Sequence, residues 1–252
     1  MNGIKRLIDD SYEFPVRKKL CHRVGHAPSD MDVVTLIVGG EGEEITAPAK
    51  LLQSSSTLFE QTIALPSNGC SLKSTIILTN MHPESVRIYI KWLSHGLLPI
   101  RVDQARFSLV WERWIKCYST AYFLQAMDFQ DALMDALPGL MGESGYNPFH
   151  LPAYIYSATC IGSPHRKFAL DVCLNTWSDM RFKLSSSSSF PSQFLRDLVD
   201  AFPSFMSHDP KKKPVELLNS DDPCKYHEHI IEGKPCYKAK RGFSIWETRT
   251  HM

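Results

Sequence analysis

The stretch that most constrains this chain is VVTLIVGGEGEEITA, residues 33–47. Six consecutive β-branched or leucine side chains make a run of strand length, which Gly39 and Gly40 close. Strand-forming residues resume at Glu43, so the two runs are expected to pair as a hairpin, with glycine supplying the positive φ of a tight turn. A glycine-rich turn after a strand can also cradle a phosphate, as in ATP or GTP sites. That use needs a helix N-terminus to receive the anion, and the best-known version adds a lysine with an adjacent hydroxyl. Here the loop runs into Glu41, Glu43 and Glu44 and then a strand, which repels phosphate.

Helical periodicity takes over downstream. In AKLLQSSSTLFEQTIAL, Leu51, Leu52, Leu58, Phe59 and Ile63 recur at near-helical spacing, but serines interrupt them, so two short helices are expected. STIILTN, residues 74–80, is a third strand candidate. HPESVRIYIKWLSHG places Pro83 in a first turn, Val86, Tyr89, Ile90 and Leu93 on one face, and Gly96 at the end. From Leu109 to Leu137 the apolar residues recur every three or four positions, which predicts one long, largely buried helix. Its aromatic residues Trp111, Trp114, Tyr118, Tyr122 and Phe123 are expected to pack in the core, with a ligand pocket as the alternative.

After Pro138 and Gly139 a second helical region follows, with helices on either side of Gly162–Pro164. The serine run 185–189 reads as a linker, and PSQFLRDLVDAF, residues 191–202, as a last amphipathic helix. The remaining polar, proline-dotted chain is expected to be irregular.

With 252 residues and 43% apolar content the chain can bury a sizeable core. A net charge of +1 creates no field that selects nucleic acid or an anionic membrane, and neither is expected as a partner. No apolar run reaches the length of a membrane span, and the charged N-terminus does not resemble a secretory signal. Seven scattered cysteines, at 21, 70, 117, 160, 173, 224 and 236, fit a reducing compartment, cytoplasm or nucleus. The lysine triplet 211–213 is either a nuclear-import signal or a solvated loop.

Three of these stretches resemble the BTB (POZ) family, an α+β protein-interaction module in which a small mixed sheet is flanked by helices. DVVTLIVGG is similar to the family's opening strand, with Asp32 at its usual aspartate. ITAPAKLLQSSSTLF resembles the second strand leading into a leucine pair, a serine pair and a phenylalanine, and TIILTNMHPESVRIYIKWLSHG resembles the strand and proline-started helix with its tryptophan-leucine-x-x-glycine ending. CYSTAYFLQAMDFQDALMDAL extends the likeness to about residue 138. YIYSATCIGSPHRKFALDV and YHEH resemble the continuation and tail of short fungal BTB proteins.

The resemblance implies an N-terminal arm (1–29), a BTB domain (30–138), a helical extension (139–205) and an irregular polar tail (206–252). It implies a non-catalytic module that associates with itself or with other proteins. An adaptor for a cullin-type ubiquitin ligase is the first alternative. Against it, Leu72, Lys73 and Ser74 stand where cullin binders present an apolar residue, any residue and a glutamate. Separately, Pro48 and Ala49 replace the family's frequent histidine and lysine, so the charged groove of some members is not expected.

The most chemically pointed segment is CKYHEHIIEGKPCY. Cys224, His227, His229 and Cys236 form a donor set suited to tetrahedral zinc, which could staple a tail too polar to fold on a core of its own. The spacing differs from that of the common fingers, so ordinary polar residues and free thiols are the competing interpretation. A zinc-stapled transcriptional regulator is accordingly a second alternative function. No other cofactor is expected. No serine elbow or paired-carboxylate motif appears, and Asp9-Asp10 and Asp221-Asp222 read as hydrated loop acids.

Overall fold

The computed structural model describes residues 32–63, 73–101, 107–144, 150–176, 190–206, 216–217 and 222–240. The N-terminal arm, Asp9-Asp10, Cys21, Cys70, Leu72, the serine run, the lysine triplet and Asp221 lie outside them. The described residues build a mixed α+β fold. Strands β1 (Val33–Val38) and β2 (Glu43–Pro48) form the expected antiparallel hairpin, and β3 (Lys73–Leu78) lies parallel to β1 on its other side, giving the order β2-β1-β3.

Between β2 and β3 run two short helices, α1 (Ala49–Gln53) and α2 (Thr57–Thr62); then follow α3 (Pro83–His95), α4 (Phe107–Phe123) and α5 (Met127–Ser144). α6 (Leu151–Ser157), α7 (Pro164–Thr176) and α8 (Ser192–Met206) make the extension. No helix among the described residues is long and apolar enough to cross a membrane.

The hairpin loop turns on glycine for two reasons. Gly39 and Gly42 have φ of 76° and 69°, and a Cβ on Gly39 would stand 3.2 Å from Cγ of Pro83. The loop is thus pressed against the start of α3. Alternation along β1 then decides the two faces of the sheet. Val34, Leu36 and Val38 are fully buried and Ile76 and Leu78 of β3 nearly so, while Val33 and Ile77 face outward.

The serine pair is structural. Ser55 Oγ and Tyr89 OH of α3 are 2.6 Å apart, and Ser56 accepts the Phe59 N–H as the N-cap of α2 while donating to the Leu124 carbonyl. α3 ends as its sequence requires, with Gly96 in the left-handed region and its N–H on the Trp92 carbonyl at 2.8 Å.

The single helix expected over 109–137 is a correction: it is two helices, broken at 124–126. The Ala126 N–H bonds the Ala121 carbonyl at 2.9 Å and the Gln125 N–H that of Tyr122 at 3.0 Å, a Schellman stop with Gln125 at φ 53°. No glycine marks this stop, so apolar periodicity ran through it. The reverse happens at Pro138, where α5 continues to Ser144 across the expected change of region. Met134 and Leu137 before the proline and Leu140 and Met141 after it enter one core, and that burial outweighs the lost helical hydrogen bond.

Trp111, Trp114 and Tyr118 stack in succession with centroids 5.0 and 4.9 Å apart, and Trp114 Nε1 donates to the Leu133 carbonyl of α5. Tyr122 and Phe123 are partly exposed, so only part of the aromatic stripe is core.

In the extension, Gly162 at φ 87° starts the expected turn between α6 and α7. Arg166 closes it by stacking on Tyr156, 4.5 Å from the ring centroid, and bonding the Tyr156 and Thr159 carbonyls. The tail differs from the irregular chain expected. Residues 222–240 form a succession of turns, a 3₁₀ turn at Glu228–Ile230 and a short helix α9 (Tyr237–Lys240) that pack on α5 with Tyr226, His227, His229 and Tyr237 buried. Polarity hid this because the tail's partners are carboxylates far away in sequence.

Candidate metal centre

Short-range bonds gather the four sequence-predicted donors. The Cys224 N–H is held by Asp222 at 2.9 Å, and the His227 N–H closes a turn on the Cys224 carbonyl at 2.8 Å. The chain then makes its 3₁₀ turn through His229. Gly233, at φ 62°, reverses it, and the Lys234 N–H bonds the His229 carbonyl at 3.1 Å. Cys236, immediately ahead of α9, is thereby returned to the same spot. One donor atom from each of Cys224, His227, His229 and Cys236 lies within 4.8 Å of every other.

Behind the imidazoles stand two carboxylates that the sequence reading did not single out. Asp131 and Asp135 are one turn apart on α5 and therefore project from the same face. His229 Nδ1 lies 3.0 Å from Asp131 Oδ2, and His227 Nε2 lies 2.9 Å from Asp135 Oδ1. A carboxylate accepts, so each of these ring nitrogens carries a proton. In the neutral imidazoles the lone pairs then lie on Nε2 of His229 and Nδ1 of His227. His227 Nδ1 faces Cys236 Sγ at 3.8 Å.

Asp131 is completely buried and also accepts from His165 Nε2 at 3.0 Å and from the Glu228 N–H at 2.8 Å. Asp135 also accepts from Tyr237 OH at 2.6 Å and pairs with Lys238 at 2.7 Å. Burial alone would raise both carboxyls. The histidine hydrogen bonds and charges, joined at Asp135 by Lys238, outweigh it and hold both below the ordinary carboxylate range.

The donor chemistry fits zinc. Zn–S and Zn–N bonds of about 2.3 and 2.0–2.1 Å place tetrahedral ligands roughly 3.3–3.8 Å apart, so the cluster needs only a small contraction. Magnesium and calcium prefer oxygen donors, which this set lacks. Four protein donors leave no open position for a substrate, the arrangement of a structural rather than a catalytic centre. In the metal-free protein, burial and the neighbouring Cys236 push the Cys224 thiol up to about 12. A bound dication reverses that local charge balance, and metal uptake therefore releases protons.

All four predicted residues thus come together, and the histidine-x-histidine spacing is explained by two imidazoles that use different nitrogens. Asp131 and Asp135 left one trace in the sequence, a pair of acids four residues apart on the helix. The glycine loop of the hairpin is remote chemistry of another kind: Glu43 at its end pairs with Arg87 of α3. Asp222 caps the Cys224 turn. No protein-family model matches the chain, and no curated protein does either.

Proposed function

We propose that the protein is a non-catalytic protein-interaction module, a BTB-like unit carrying a helical extension, which associates with a second copy of itself through its sheet. One observation carries the reading. The three stretches that resemble BTB proteins bury their apolar residues in a single core: Val34, Leu36 and Val38 from the first, Leu52 and Phe59 from the second, and Val86, Tyr89, Trp92 and Leu93 from the third. The sheet that this core supports turns Ile77 of the edge strand β3 outward at 62% exposure, beside Ile37 in register, with Val33 also exposed. Apolar side chains on an accessible sheet face are anchors for a partner surface, and desolvating a few such anchors supplies most of the affinity of an interface.

The test is light scattering of the full chain across a concentration series, wild type beside Ile77→Glu. The expected result is a mass that rises toward twice 28.7 kDa in the wild type and stays monomeric in the variant. A wild-type mass that remains monomeric at the highest concentration, or a dimer unaffected by Ile77→Glu, overturns the reading.

A further inference from the structure

We propose that Cys224 Sγ, His227 Nδ1, His229 Nε2 and Cys236 Sγ bind one zinc ion, and that this ion fastens residues 222–240 as a clasp joining the sheet-bearing unit to the helical extension. The inference stands independently of the interaction reading.

Three features support it. The first is tautomer selection: each imidazole is fixed by a carboxylate on one nitrogen, so the lone pair of the neutral ring lies on the opposite one, which at His227 faces the Cys236 thiol at 3.8 Å. Carboxylate–histidine pairs of this kind orient metal ligands and raise their basicity. The second is the closeness of all four donors, which belong to turns rather than to one helix or strand whose periodicity would align them by default.

The third is what the segment touches. Tyr237 packs on Trp92 of α3 with centroids 6.1 Å apart, and Tyr226 packs edge-on against Phe168 of α7 at 5.1 Å and donates to Asp171 at 2.7 Å. Ser163, in the turn before α7, bonds Glu228. The tail therefore reaches α3, α5 and α7 from one short stretch of chain. A polar segment of this length has little apolar area with which to offset its ordering entropy, and a metal closing its loop supplies the missing free energy.

Asp131 and Asp135 act through the histidines and are positioning residues. The fully buried Asp131 also bonds His165, whose Nδ1 meets Tyr118 OH of α4 at 2.8 Å, so the carboxylate that holds His229 is tied directly into the core.

The full chain, purified without a metal-binding tag, incubated with zinc chloride and dialysed, is expected to hold about one zinc per chain by elemental analysis. The Cys224→Ser/Cys236→Ser variant is expected to hold almost none. Cys160→Ser, which alters an exposed thiol outside the cluster, is expected to retain it. Because the double variant can misfold, cobalt(II) titration of the wild type gives an independent readout. A tetrahedral visible spectrum with thiolate charge-transfer absorption is expected.

Asp135→Asn is expected to weaken zinc binding ~10–100-fold in chelator competition while the saturated cobalt spectrum stays tetrahedral. Zinc well below stoichiometric after reconstitution, zinc undiminished in the double variant, or an octahedral cobalt spectrum without thiolate absorption overturns the proposal. Unchanged affinity in Asp135→Asn overturns the positioning role of that carboxylate.

Discussion

Replacing Asp131 by asparagine should destabilise the metal-free protein by several kcal/mol. Its side chain is fully buried and receives four N–H groups: His165 Nε2 and the Glu228 amide on Oδ1, and His229 Nδ1 and the His229 amide on Oδ2, at 2.8–3.4 Å. Asparagine has nearly the same shape but only one accepting oxygen, so its NH₂ must confront two of those donors. Two charge-assisted hydrogen bonds at ~1.5–3 kcal/mol each are lost, a cost of about 3–6 kcal/mol, and two buried donors are left facing the new NH₂. For a chain of this size that corresponds to a fall in melting temperature of ~6–24 °C.

The assay is urea unfolding followed by tryptophan fluorescence, with a chelator present so that metal affinity does not enter. Asp128→Asn is the control. Asp128 lies on the same helix and pairs with the partly exposed Lys240 at 2.8 Å, a contact worth ~0–1 kcal/mol. A loss below 1 kcal/mol for Asp131→Asn, or one no larger than the control's, would refute the idea that this carboxylate organises the tail.

Gln125→Gly should stabilise the protein. It relieves a left-handed conformation costing ~1–2 kcal/mol, against ~0.4–1 kcal/mol of added unfolded-state entropy, and thermal or urea unfolding should register a net gain of about 0.5–1 kcal/mol. Thiol alkylation resolved by peptide mass spectrometry should label exposed Cys160 rapidly and leave Cys117 and Cys173 untouched until the protein unfolds. Burial pushes both of those thiols far above the ordinary cysteine range. Early labelling of Cys173 would contradict the packing of α7.

Where local chemistry and global fold agreed, the sequence was sufficient. The β1–β2 hairpin was legible because a β-branched run and glycine turns are properties of neighbouring residues, whereas the alternation of buried and outward side chains along β1 is not visible in so uniformly apolar a run. The limits of α3 were legible because a first-turn proline and a left-handed glycine act within one turn of themselves. The Gln125 break was not, since a Schellman stop without glycine leaves the apolar period intact and is held by the Ala126 and Gln125 amides folding back on the preceding turn.

The donor set of the proposed metal centre belongs to the sequence alone: Cys224, His227, His229 and Cys236 are close in the chain, and their chemistry is independent of the fold. Their orientation belongs to the tertiary structure. Asp135 is 92 residues from His227 and Asp131 is 98 residues from His229, so nothing within the tail indicates which imidazole nitrogen carries the proton. Periodicity and spacing are short-range signals. Long-range carboxylate–histidine pairing emerges only when folding has brought α5 beneath the tail.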